Sequence, residues 1–184
     1  MSEEPAKIRS MPLVSVVVPT YNHAQFIGHA LASVCAQTFT NWEAIVVNNF
    51  STDDTESIVA SMVDPRISLV SFANNGVIAA SRNHGVGLAR GEFVAFLDSD
   101  DCWYPHKLER CLKMMTLGYD LVCHGELWVR SESEGGASAK FCTARKRVPL
   151  LTRCCLMATA FPLPQSLCVA GYWKRFVVSM RVTR

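Results

Sequence analysis

Three aspartates that follow an apolar segment are the residues of this chain best suited to chemistry. Residues 93–97 are all apolar and run without a break into Asp98, Asp100 and Asp101. In an open α/β sheet, ligands bind just outside the carboxyl ends of the strands. Mg²⁺ and Mn²⁺ typically take one or two carboxylates and complete their shell with water and substrate phosphates. The spacing therefore predicts a divalent-metal site at Asp98 and Asp100; the alternative is an acidic turn that caps the next helix.

Length and composition indicate a single domain with a real core. The chain has 184 residues, of which 49% are hydrophobic, and no apolar run approaches the length of a membrane span. The first residues are polar and acidic, without the apolar region of a secretory signal, so we expect a cytoplasmic protein. Its eight cysteines include no C-x-x-C pair. We therefore expect free thiols in a reducing compartment and assign no metal to them.

The elements that must position the aspartates alternate between strands and helices. We expect residues 1–12 to be disordered, Pro19 to stop the first strand, Asn22 to cap the first helix, and Ser51 with Asp54 to cap the second. Gly85 and Gly87 lie inside a small-residue helix, which indicates close packing on the sheet. This alternation is typical of a Rossmann-like α/β fold, a mostly parallel sheet flanked by helices. The predicted strands are 13–18, 42–47, 67–72, 93–97, 119–123 and 127–129, and the predicted helices include 24–37, 77–89 and one through Leu108 and Met115.

Three polar turns follow strands of this predicted sheet, at residues 20–22, 48–53 and 98–101. Parallel order places all three at one edge. Tyr21 could stack on a nucleobase, either Asn48 or Asn49 could pair with a base edge, and Arg82 could reach a phosphate. The plainer interpretations are a tyrosine packed on the following helix and a solvated surface arginine.

Six motifs occur together in an order and spacing that resemble family 2 glycosyltransferases. They are VVVPTYN at 16–22, SVCAQT at 33–38, STD at 51–53, SRN at 81–83, FLDSDD at 96–101 and YPHKL at 104–108. The resemblance covers about residues 13–130. It implies a glycosyltransferase A fold, a nucleotide-sugar donor (most often a UDP-sugar) and a Mg²⁺ or Mn²⁺ cofactor. The implied reaction is inverting transfer to a hydroxyl of a glycan, a lipid-linked sugar or another acceptor.

The resemblance also implies roles for individual residues. Thr20 and Tyr21 would hold the nucleoside with Arg82 beside them, Asp98 would lie near the ribose or metal, and Asp100 would ligate the metal. One departure is Asn48-Asn49-Phe50, where the family usually has two aspartates and a glycine, which leaves the donor base open. The implied nucleotide-sugar-binding residues are Pro19, Thr20, Tyr21, Asn48, Asn49, Ser51, Arg82, Asp98 and Ser99, and the implied metal ligands are Asp98 and Asp100.

The last fifty residues differ in kind from the rest. All 16 acidic residues lie at or before Glu134 with nine of the 18 Lys and Arg, a net charge of −7, whereas residues 135–184 carry +9 and no acid. The catalytic base that the family places beyond the metal motif is therefore absent, and we expect the fold to be truncated on the acceptor side and the chain to be inactive. One interpretation of residues 131–184 is a natural basic tail that binds a membrane or nucleic acid.

A shifted reading frame is the hypothesis that we favour for this tail. Read in another frame, residues 172–181 can encode Leu-Glu-Lys-Val-Arg-Gly-Phe-Asp-Glu, which resembles the next part of the family pattern. The shift would begin between about Ala144 and Leu151. We then expect no nucleic-acid partner, although peripheral contact with the inner face of a membrane stays open. The rival functions are a non-catalytic nucleotide-sugar-binding protein with a basic anchor and, with less support, a nucleotidyltransferase.

Overall fold

The computed structural model describes residues 11–124 and the backbone of four further strands. Four helices alternate with the first strands, in the order that the sequence predicts. The elements are β1 (Val14–Thr20), α1 (Ala24–Cys35), β2 (Trp42–Asn48), α2 (Thr55–Ser61), β3 (Ile67–Ser71), α3 (Ile78–Leu88), β4 (Phe93–Phe96), α4 (Lys107–Thr116), β5 (Tyr119–His124), β6 (Leu127–Val129), β7 (Ala137–Ala139), β8 (Ala144–Lys146) and β9 (Arg175–Ser179).

Seven of the strands form one sheet in the order β3-β2-β1-β4-β9-β5-β8. Every neighbouring pair is parallel except β5 and β8, and β6 and β7 form a separate antiparallel pair. The predicted mostly parallel α/β sheet is confirmed. The chain runs from β1 outward to β3 and then returns to β4 on the other side of β1. This reversal makes a topological switch point between β1 and β4, where α/β proteins bind their ligands.

Alternation along the central strands divides the core into two layers. Val16 and Val18 of β1 pack with Ile27 and Leu31 of α1, in a cluster that also includes residues of α2 and α4. On the opposite face, Val17 packs in a second cluster with residues of α3. All residues of β1 and β2 are buried. Because strands covered on both faces need apolar side chains throughout, these two strands have the nearly unbroken apolar sequences that identified them.

Pro19 does not stop the first strand, contrary to the sequence prediction, since β1 continues to Thr20. The oxygen of Val17 accepts from the nitrogen of Leu97 on the β4 side, and the oxygen of Thr20 accepts from the nitrogen of Asn49 on the β2 side. Backbone groups alternate between the two neighbours, so Pro19 faces the β4 side, where β4 has already ended. Its missing N–H therefore leaves no ladder bond broken.

The helix caps also differ from the prediction. The residue before α1 is His23 rather than Asn22, and the nitrogen of Ala24 donates to Oδ2 of Asp53 at 2.9 Å. Asp54 precedes α2 but makes no side-chain cap bond, and Ser51 bonds elsewhere. Oδ1 of Asp53 accepts from the nitrogen of Thr55 at 3.1 Å, so one carboxylate serves the first turns of both helices.

The two glycines of α3 have different environments. A Cβ on Gly85 would collide with Cγ1 of Val17 and lie 3.2 Å from Cγ2 of Val47, which confirms close packing there. A Cβ on Gly87 would meet nothing within 4 Å, so close packing was the wrong explanation for Gly87. The difference follows from the helical period, because residues two apart lie on different sides of a helix.

Three short strands lie within residues 131–184, and β9 pairs with both β4 and β5. The proposed domain limits and the frameshift hypothesis stay predictions, and the expected disorder of residues 1–12 falls largely outside the described residues. Within the described part of the chain, Cys35, Cys102 and Cys111 are free thiols. In that same part, the helices are too short or too polar to cross a bilayer.

Candidate active site

The carboxyl edge of β1, β2 and β4 brings the three predicted polar turns together. Thr20 and Asn48 are the last residues of β1 and β2 and are paired in register. The acidic turn begins two residues after the end of β4, beside β1 at the switch point. Both Thr20 and Asn48 are buried, at 5% and 1% exposure. The sheet thus places the sequence-predicted residues along one edge.

The turns after β1 and β2 are tied to each other by hydrogen bonds. The nitrogen of Asn49 donates to the oxygen of Thr20 at 3.0 Å, and the nitrogen of Asn22 donates to Oγ of Ser51 at 2.9 Å. The nitrogen of Thr52 in turn donates to Oδ1 of Asn22 at 2.8 Å. These bonds hold the two turns together as one unit. The hydroxyl of Ser51 binds the neighbouring turn and does not cap α2.

Asn48 and Asn49 have their amide oxygens engaged within the protein. Oδ1 of Asn48 accepts from both the nitrogen and Oγ of Ser51, at 3.0 and 2.6 Å. Oδ1 of Asn49 accepts from the nitrogen of Asn74 at 3.0 Å. A base edge at this position would therefore meet amide nitrogens, which donate hydrogen bonds, more readily than carbonyl oxygens.

Arg82 of α3 forms an ion pair with Asp98, through Nη2 and Oδ1. Both side chains are largely buried, at 15% and 27% exposure. Arg82 is therefore not a freely solvated surface residue, and nothing in the sequence around it indicates its pairing with the acidic turn. The pair places a guanidinium group, suited to phosphate oxygens, next to a carboxylate suited to a metal.

His23 was not among the predicted site residues, yet it contacts the acidic turn. Its Nδ1 lies 2.6 Å from Oγ of Ser99, which is 3% exposed between the two aspartates. The ring of His23 packs edge-on against Phe26 of α1, with centroids 5.8 Å apart. The sequence carried no signal for this contact, because the two residues are 76 positions apart.

Gln37 anchors the segment that follows the acidic turn. Its Nε2 donates to the oxygens of Ser33 and Tyr104, at 3.0 and 2.9 Å, and its Oε1 accepts from the nitrogen of Leu108 at 3.0 Å. Oγ of Ser33 also accepts from the nitrogen of Trp103 at 3.0 Å. The end of α1 thus holds the chain between Asp101 and α4 in place and gives structural meaning to the SVCAQT motif.

Two observations bear on whether a nucleotide and a metal fit here. Oγ1 of Thr20 is buried and has no hydrogen-bond partner among the described residues, as expected of a group that awaits a polar ligand. Asp100 is exposed and Asp98 partly so, two residues apart. No group of three or more metal-binding side chains occurs in the described part of the chain. Two carboxylates suffice for Mg²⁺ or Mn²⁺ when substrate phosphates complete the shell, so the donor set fits.

Comparison with known proteins agrees with this architecture. The sequence model of Glycosyl transferase family 2 matches residues 15–147. The Escherichia coli protein "UDP-Glc:alpha-D-GlcNAc-diphosphoundecaprenol beta-1,3-glucosyltransferase WfgD" is 41% identical over 103 residues, which cover 56% of this chain and 41% of that protein. The chain spans between 31% and 49% of the length of this relative and of three other curated glycosyltransferases or polysaccharide-synthesis proteins to which it is similar.

Solved structures give the same result. Staphylococcus aureus TarS 1-349 in complex with UDP-GlcNAc has a TM-score of 0.58 at 32% identity, over 61% of this chain and 34% of that one. Mannosyltransferase PcManGT from Pyrobaculum calidifontis, in complex with GDP-Man and Mn²⁺, has a TM-score of 0.56 at 27% identity, over 66% and 39%. The expected glycosyltransferase A fold is confirmed. The family model matches most of this chain, and the polar turns and the Arg82–Asp98 pair lie at the edge of the sheet where such folds bind their ligands. This chain therefore belongs to glycosyl transferase family 2.

Proposed function

We propose that the chain is the donor-binding part of a metal-dependent, inverting glycosyltransferase that uses a UDP-sugar. The observation that carries the proposal is the convergence, at one sheet edge, of the joined turns at 20–22 and 49–52 with the Arg82–Asp98 pair. The presence of UDP-GlcNAc in the TarS complex and of UDP-Glc in the name of WfgD supports a uridine nucleotide.

In this proposal the turns after β1 and β2 bind the nucleoside. Oγ1 of Thr20 supplies a buried hydroxyl that has no hydrogen-bond partner in the described part of the chain, and Tyr21, at 53% exposure, supplies a stacking surface. The amide nitrogens of Asn48 and Asn49 donate to the oxygens of the base, while Pro19 and Ser51 shape the two turns. Arg82 stands beside the diphosphate, where it would neutralise charge and hold Asp98 in orientation.

Asp98 and Asp100 would hold the metal, with the buried Ser99 fixing their spacing. A divalent cation there supplies Lewis-acid neutralisation of the diphosphate leaving group. The Mn²⁺ in the PcManGT complex supports such a cofactor. His23, by its contact with Ser99, positions the turn rather than taking part in the reaction.

The acceptor is inferred from the name of a relative and from the composition of residues 135–184. The diphosphoundecaprenol-linked sugar in the name of WfgD supports a lipid-linked or other glycan acceptor, and hence a part in polysaccharide synthesis. A carboxylate base must deprotonate the attacking hydroxyl, and residues 135–184 contain no carboxylate. We therefore expect the 184-residue chain to bind its donor without turnover. A cytoplasmic location with peripheral membrane contact belongs to the same proposal.

Thr20→Val tests the nucleoside-binding part of the proposal. Valine is similar in shape to threonine, and the lost hydroxyl has no hydrogen-bond partner among the described residues, so stability should not fall. A hydrogen bond to ligand is worth about 1 kcal/mol, so calorimetric titration with UDP-GlcNAc and Mg²⁺ should show affinity reduced about fivefold. Thr116→Val, at the end of α4, is the control and should bind as the parent does. Failure of the parent chain to bind any of UDP-GlcNAc, UDP-Glc or GDP-Man would contradict the proposal.

A further inference from the structure

Phe50 occupies a backbone conformation that its side chain disfavours. Its φ is 53°, in the left-handed region where glycine is at ease and bulky residues are outliers. The other non-glycine residues with positive φ are Asn22 and Asn75, within the described part of the chain, and asparagine tolerates this region. The backbone at this position favours glycine, so the conformation of the turn does not explain why a phenylalanine is present.

Packing does not explain Phe50 either. The side chain is 59% exposed and belongs to neither of the two core clusters. An exposed phenylalanine in a strained turn stabilises the folded chain neither through its backbone nor through burial. Strained residues that the surrounding structure holds in place concentrate at ligand sites, so the conformation of Phe50 favours a role in binding.

Tyr21 lies at the matching position of the neighbouring turn. The bond from Asn49 to Thr20 precedes both aromatic residues, and the bond from Asn22 to Ser51 follows both. The two rings, each more than half exposed, are thus carried by two short segments that are tied together at both ends. Aromatic side chains that lie exposed at such a site are suited to stack on a nucleobase, which they do with little regard to its hydrogen-bonding pattern.

We propose that Phe50 is a second nucleobase-contacting residue, which forms with Tyr21 a two-sided aromatic site for the donor base. This inference rests on the proposed function of the edge. It adds a residue that contacts the base and not the diphosphate, and that therefore affects binding of UDP but not of inorganic pyrophosphate. Phe50 would raise affinity for the base by stacking. The amide oxygens of Asn48 and Asn49 already accept hydrogen bonds within the protein, so stacking would supply affinity that these oxygens do not.

Three substitutions separate the ring from the backbone. Phe50→Gly removes both the ring and the strain, so it should raise the urea midpoint while it weakens UDP binding. Phe50→Leu keeps the strain and an apolar side chain but loses the ring. Phe50→Trp keeps an aromatic ring. Leu117→Ala, at an exposed position after α4 (67% exposed), is the control for loss of exposed apolar surface.

Calorimetric titration of the 184-residue chain with UDP and Mg²⁺ gives the readout, with inorganic pyrophosphate and Mg²⁺ as the baseless probe. Affinity for UDP should fall about tenfold in the glycine and leucine variants, and stay within about twofold in the tryptophan variant. Affinity for pyrophosphate should be the same in all of them. If the glycine and leucine variants bind UDP as the parent does, the role of Phe50 is refuted and the proposed function stands. If the parent binds neither UDP nor pyrophosphate, both fall together.

Discussion

Substitution of Gly85 by alanine tests the packing that places α3, and with it Arg82, on the sheet. The added methyl group would collide with Val17 and approach Val47 to 3.2 Å. Both valines are fully buried in the two central strands, so neither can move aside into open space. We therefore expect α3 to shift away from the sheet or the two strands to distort.

Two opposing effects determine how much Gly85→Ala changes the free energy of unfolding. Overpacking a buried site costs about 1–3 kcal/mol, whereas glycine to alanine within a helix gains about 1 kcal/mol. Gly87→Ala is the matched control, because it lies two residues further along α3 and its Cβ would meet nothing within 4 Å. The propensity term largely cancels between the two variants, so Gly85→Ala should be less stable than Gly87→Ala by about 1–3 kcal/mol.

Urea unfolding followed by circular dichroism measures this difference. With a urea slope of about 1–3 kcal/mol per molar, the two midpoints should be separated by roughly 1 M. Because Arg82 lies one helical turn before Gly85, the same shift should weaken UDP binding in Gly85→Ala and leave it unchanged in Gly87→Ala. Equal stability of the two variants would refute the packing argument, and a destabilised Gly85→Ala with unchanged UDP affinity would refute its link to Arg82.

Two further predictions concern groups that hold the fold. Gln37→Ala removes three hydrogen bonds made by a side chain that is 4% exposed, and it leaves the nitrogen of Leu108 without the amide oxygen that it binds. Urea unfolding should show that the free energy of unfolding falls by about 2–4 kcal/mol. A fall of less than about 0.5 kcal/mol would contradict the anchoring role of Gln37. Burial by itself raises the pKa of Glu43, but hydrogen bonds from Arg90 and Ser15 outweigh it and hold the pKa below its ordinary value of 4.5. A lowered folded pKa stabilises the protein above pH 4.5, and this contribution should disappear as the pH falls below 4.5 through the folded pKa. Glu43→Gln should flatten that part of the stability–pH curve, and an unchanged curve would show that another group controls it.

Local patterns were enough to predict the elements and the edge where the polar turns meet. The alternation of Val16, Val17 and Val18 between two cores, and the helical spacing of Ile27 and Leu31, are direct consequences of burial, so periodicity reveals them. Parallel order then places the turns together without knowledge of a single contact. The cost of glycine inside a helix predicted the tight approach at Gly85, but it predicted the same at Gly87, where there is open space.

Contacts between distant residues could not be predicted in this way. Asp53 caps a helix that begins 29 positions earlier, and Gln37 binds the start of a helix 71 positions later. The strand continues through Pro19 because β4 ends beside it, at Phe96, and the sequence of β1 does not show where its neighbour ends. The Arg82–Asp98 pair likewise depends on how α3 lies across the sheet, which the sequence of α3 alone does not determine.

Paramagnetic mapping with Mn²⁺ is the measurement that tests the central claim most directly. Residues Asp100 and Glu92 are exposed carboxylates at opposite ends of β4, so a backbone NMR titration of the 184-residue chain can distinguish the two edges of the sheet. With UDP present, Mn²⁺ should broaden the amide signals of residues 98–101 and of the turns at 20–22 and 49–52. Asp100→Asn should abolish this broadening, whereas Glu92→Gln should leave it intact. Broadening at the Glu92 end, or at residues 98–101 equally in both variants, would contradict a metal-dependent nucleotide site at the switch point.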